Sequence, residues 1–101
     1  MPIIKDNQRI RESILDFDRR IDRMHAEFGK YRAGEPGRMP DWQRLEREML
    51  SLSRRKITDL ELAGQLDRVM HKFQNRKKIW FKWVEEYHTR SLKEDSTRGR
   101  G

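Results

Sequence analysis

Apolar side chains recur at alternating three- and four-residue spacing from the start of the chain: Ile3, Ile10, Ile14, Phe17, Ile21, Met24, Phe28 and Tyr31. In a heptad frame Ile14, Ile21 and Phe28 take position a, the others take d, and Asn7 stands at the a position between Ile3 and Ile10. Spacing sustained this long predicts a helix with one apolar seam over about residues 6–32, its outer positions filled by charge. The segment AGEPGRMPD holds two glycines and two prolines, so it ends that helix and predicts a turn over residues 33–41. Asp41 is placed to cap whatever helix follows.

A second frame opens at Trp42. Met49, Ala63, Met70 and Val84 share its a position, Leu45, Leu52, Leu66, Phe73, Trp80 and Tyr87 take d, and Lys56, Asp59 and Lys77 interrupt it. Thr58-Asp59-Leu60-Glu61 reads as a capping box, with Ile57 and Leu62 as the hydrophobic staple around it, and these signals mark a fresh helix start. Against them, residues 51–56 lack Gly and Pro and the frame keeps its phase across the join. The pattern therefore predicts a second helix over about residues 42–92 with a kink or short break near residues 53–58. The expected fold is all-α: an antiparallel helical hairpin or coiled coil in one domain over residues 1–92, with residues 93–101 a polar, disordered tail. At equal rise per residue the first helix covers the second only to about Met70, so the aromatic segment from Phe73 onward should overhang, exposed.

Composition supports an elongated object. Of 101 residues 34% are hydrophobic and 41% charged, too polar for a thick core but sufficient for narrow seams. The absence of cysteine removes disulfides, thiolate ligands and thiol catalysis. The first residues lack the apolar run of a signal sequence, and no segment approaches the roughly 18 apolar residues of a membrane span, so the expectation is a cytoplasmic protein. A net charge of +7 points to acidic partners, yet the excess is spread along the chain. The one lopsided block runs from Arg68 to Lys82.

Little chemistry stands out. Asp22 with His25, and Glu85 with His88, have the carboxylate-x-x-His spacing of helical dimetal bundles. Both pairs fall on b and e positions, away from the seams, and no core Glu completes a site, so neither metal nor cofactor is expected. A narrow helical seam also lacks the desolvating pocket that catalysis or a small-molecule substrate requires, and a non-enzymatic role is expected.

Three binding classes remain. Arg68, Lys72, Arg76, Lys78 and Lys82 supply cations for a phosphate backbone, and the nearby aromatics have faces for stacking on bases. The frame turns Trp80 and Val84 toward the seam, however, so cations and rings do not combine into one nucleic-acid surface. A membrane-surface helix fits poorly, since Glu85 and Glu86 follow the aromatics directly. The third class rests on width: Leu62, Val69 and Trp83 at g, Ile79 at c and Phe81 at e broaden the stripe beyond what one partner helix covers, and a wide stripe wants two neighbours. The reading is an adaptor or structural protein that binds itself, as a homo-oligomer, or a protein partner through Val69, Ile79, Trp80, Phe81, Trp83 and Tyr87; the alternative is nucleic-acid binding through the 68–82 cation face. Lys77, at a, should snorkel its amine outward over the seam.

The aromatic end of the first helix at Phe28 and Tyr31, the loop GEPGRMP, the segment LEREM, and then Phe73 and Trp80 give the chain a further likeness. From about Asp16 to Glu86 it resembles a set of short helical-hairpin proteins of deltaproteobacteria. The resemblance implies the hairpin; those proteins carry no assigned activity, so it transfers no functional residue.

Overall fold

A computed structural model describes the backbone of residues 2–98 and the side chains of residues 6–90. Within them the chain is all-α, with helix α1 at Pro2–Arg32, α2 at Trp42–Ser53 and α3 at Leu60–Arg98. The expected tail begins as part of α3, which runs past residue 92 to Arg98; residues 99–101 lie outside the described residues.

Each helix end has a local cause. Gly34 adopts φ 84°, donates to the Tyr31 carbonyl, and is followed by Glu35 donating to the Lys30 carbonyl, both at 3.1 Å. That pair of bonds is the Schellman arrangement, which satisfies the last carbonyls of α1 and needs a residue tolerant of the left-handed region. Asp41 caps α2 as expected, its Oδ1 accepting from the Arg44 amide at 3.1 Å. At α3 the cap is Asp59 rather than Thr58: its Oδ1 accepts from the amides of Glu61 at 3.0 Å and Leu62 at 3.2 Å. The helix therefore starts one residue later than a capping box at Thr58 predicts.

The pairing differs from a hairpin, and the difference governs everything downstream. Interhelical contacts advance together along α1 and α3: Asp18 meets Lys72, His25 meets Trp80, Tyr31 meets Tyr87. These two helices run parallel. Contacts between α2 and α3 run in opposite senses, Trp42 meeting Phe81 and Glu46 meeting Lys77 and Gln74, so α2 is antiparallel to α3 and hence to α1. Residues 54–59 thus hold a full reversal rather than a kink. The reversal lets α3 lie along α1 from about Asp6 to Arg32, at about 1.5 Å per residue a seam of roughly 40 Å, where a fold-back limited to a hairpin would leave its aromatic half uncovered.

The core follows. From α1 it takes Ile10, Ile14, Phe17, Ile21 and Phe28, from α2 Leu45, Met49 and Leu52, and from α3 Leu62, Leu66, Val69, Phe73 and Trp80. Leu62 and Val69 are buried although they stand at g, because α3 has two neighbours, α1 and α2. The second neighbour demanded by the wide stripe is supplied within the chain. The molecule measures 71 × 19 × 16 Å, with a radius of gyration of 18.3 Å against about 13 Å for a compact chain of this length.

Candidate interaction surface

The parallel pairing sorts the residues singled out from the sequence into three groups. Trp80 is fully buried and Val69 nearly so, and neither is available to a partner. Trp80 fails the expectation most clearly: it does not overhang but stacks on Phe28 at 4.8 Å, meets Phe73 edge-on at 5.8 Å, and donates its Nε1–H to His25 Nδ1 at 3.0 Å. Trp83 and Tyr87 are half-buried against α1, Trp83 beside His25 with the Arg32 guanidinium over its ring at 5.1 Å, and Tyr87 against Tyr31. Ile79 and Phe81 remain exposed, at 38% and 44%, but two residues apart they face nearly opposite sides of α3.

Phe81 belongs to a cluster that the periodicity did not assemble. Its ring lies edge-on to Trp42 of α2 at 5.0 Å, and the Lys77 ammonium sits 5.0 Å from the Trp42 centroid, 5.8 Å from Phe81 and 5.9 Å from Phe73. Glu46 Oε2 accepts from that ammonium at 2.7 Å and from Gln74 at 3.3 Å. Lys77 therefore does not snorkel away from the seam; it is drawn between a carboxylate and three ring faces, where cation–π attraction and the ion pair act together. No spacing rule could have placed Trp42 beside Phe81, because their meeting requires α2 to be antiparallel to α3.

The basic block is engaged internally in part, through Lys72 and Arg76. Lys72 bridges Asp18 and Asp22 of α1, both at 2.8 Å, and these hydrogen bonds raise its pKa while the bond to Lys72 holds the Asp22 carboxyl below its ordinary value. Arg76 lies 3.3 Å from His25 Nε2. Arg68, Lys72 and Arg76 border one open depression with His71, Asn75 and Ile79, whereas Lys82 borders another beside Glu85, Glu86, Arg32 and Arg90. Lys78 is exposed. The five cations thus do not form one acid-free track: Asp18 and Asp22 hold Lys72, and Glu85 and Glu86 line the depression beside Lys82. Of the two carboxylate-x-x-His pairs, Asp22 accepts from Lys72 and His25 accepts from Trp80 at Nδ1, with the Arg76 guanidinium beside its other nitrogen. Among the described residues no three His, Asp or Glu side chains gather as a metal set would, and no helix is long and apolar enough to cross a membrane.

Compared with protein-family models, with curated proteins and with solved structures, the chain has no significant match in any of the three.

Proposed function

We propose that the protein is a non-catalytic, elongated interaction module, and that its partner surface centres on Phe81 with the Trp42 edge beside it. The observation that carries this reading is a large aromatic ring, 44% exposed, held in a fixed position by a second aromatic across a helix–helix contact. An anchor of that kind loses little conformational entropy on binding, and aromatic anchors dominate interface energetics. Leu50 on α2 and Met39 on the turn that leads into it, 37% and 47% exposed, supply further apolar area for an amphipathic partner helix. That helix comes from a second copy of the chain or from another protein.

Light scattering over a dilution series at low and high salt tests the proposal, run beside Phe81→Ala and cross-linking with candidate partners. An apolar contact persists as salt rises and weakens in Phe81→Ala with helical content unchanged. Association that is indifferent to the loss of Phe81 sinks the assignment. Retention of polynucleotide at low salt, lost steeply as salt rises and reduced by Arg68→Ala with Lys78→Ala, would move the function to the cation face.

A further inference from the structure

His25 is wedged between two groups that can only donate. Trp80 Nε1–H donates to its Nδ1 at 3.0 Å, and the Arg76 guanidinium stands 3.3 Å from its Nε2. An indole nitrogen and a guanidinium have no acceptor to offer. The bond from Trp80 requires Nδ1 to be bare, so the ring's single proton resides on Nε2 and Arg76 acts there as a nearby positive charge. The imidazole also lies against Trp83, tilted at 5.0 Å between ring centroids, with the Trp80 ring centroid 6.4 Å away.

We propose that His25 is a proton-operated latch between α1 and α3, closed when the imidazole is neutral and released when mild acid protonates it. A proton added at Nδ1 displaces the Trp80 bond and leaves an indole N–H, on a residue with no exposed surface, without an acceptor. The same proton sets an imidazolium against the Arg76 guanidinium. The charged groups facing the ring are Arg76 from α3 and Asp22 from α1 itself; α2 directs its carboxylates elsewhere, Glu46 to Lys77 and Glu48 to Arg20. Asp22, the one group that favours an imidazolium, is already held by Lys72 at 2.8 Å. Burial comes first and Arg76 second in holding the His25 pKa below its ordinary value, with Asp22 opposing them. Release loosens the seam at Trp80 and Trp83, directly beside Phe81. The latch belongs to the isolated chain, so its test is independent of any partner.

The experiment is an NMR titration of the full chain from about pH 7.5 to about pH 5, following the His25 ring and the exchange of the Trp80 indole proton, with the urea-unfolded chain as reference. The expected result is a His25 midpoint at lower pH in the folded chain than in the unfolded one, and a loss of Trp80 indole protection that follows that midpoint. In His25→Asn the side-chain carbonyl oxygen, one bond from Cγ as Nδ1 is, still accepts from Trp80 but does not titrate, so the acid-dependent loss of protection should vanish. A His25 midpoint equal in folded and unfolded chains, or an equal loss of protection in the variant, overturns the proposal. Should the variant fail to fold, the wild-type titration decides alone.

Discussion

Replacing Trp80 separates the parallel three-helix packing from a hairpin more sharply than any other change. In a hairpin that leaves the aromatic end overhanging, Trp80→Ala removes an exposed side chain and improves helix propensity by up to ~0.7 kcal/mol, so the variant would be neutral or slightly stabilised. In the structure Trp80 is fully buried, stacked on Phe28 and bonded to His25. Truncating a buried Trp to Ala costs about 3–5 kcal/mol, transfer and cavity together, and the lost bond adds little because the half-buried His25 can turn to water. Phe81 is the control: with 44% of its surface exposed, Phe81→Ala should cost about 1 kcal/mol for the ring area that Trp42 covers. The two variants, one residue apart, should thus differ by about 3 kcal/mol, a shift of roughly 1–2 M in urea midpoint for a domain of this size. Urea unfolding followed by circular dichroism reads this directly. A small domain holds only about 5–15 kcal/mol in total, so Trp80→Phe, expected to cost about 1–2 kcal/mol, provides a milder companion that keeps the stack on Phe28. Trp80→Ala and Phe81→Ala unfolding within ~1 kcal/mol of each other, against the ~3 kcal/mol expected, would refute the buried placement of Trp80 and with it the reversal at residues 54–59.

Other outcomes follow from single contacts. Lys77→Met, an apolar replacement at a seam position, should destabilise by about 1–2 kcal/mol because it discards the ring contacts and leaves Glu46 without its cation; an amine that merely snorkelled would make the change neutral or favourable in the same urea assay. The Asp22 carboxyl has a depressed pKa in the fold, so its share of stability is present above the unfolded value of about 4 and drains away as pH falls through the folded value. Lys72, whose pKa is raised, contributes below about pH 10 and loses its share above. Lys72→Met should therefore flatten the acid limb of the stability–pH profile, while costing only about 1 kcal/mol at neutral pH because the bridge is partly solvated. Among the glycines, Gly34→Ala forces a Cβ into φ 84° and should cost about 1 kcal/mol or more, whereas a Cβ at Gly29 or Gly64, inside helices, meets no atom within 4 Å and should raise stability by about 0.5–1 kcal/mol in thermal melts.

Much of the molecule was legible from the order of residues, because helices are local objects. The three-four spacing of Ile10, Ile14, Phe17, Ile21 and Phe28 names the buried stripe of α1, and the same residues form the core. Gly34 and Asp41 terminate and cap by bonds to residues within one or two turns, which sequence reasoning reaches without knowing the fold. The wide stripe on α3, with Leu62 and Val69 at g, correctly announces that two neighbours are needed.

The direction of α3 is another matter. A heptad frame states which face of a helix is apolar and says nothing of which way the helix points, and the frame kept its phase across residues 54–59 although the chain turned around there. Only the competition among ways of covering Phe73 and Trp80 decides it, and pairing α3 with α1 as far as Arg90 buries both completely. From that choice come the features no spacing could foretell: Trp42 against Phe81, Lys77 between Glu46 and three rings, and His25 between Trp80 and Arg76. The sequence by itself determined the helices and their apolar faces, since those depend on neighbours three and four residues away. Tertiary structure decided which aromatics are core and which remain exposed, because burial is settled by residues about 55 positions apart, as between His25 and Trp80.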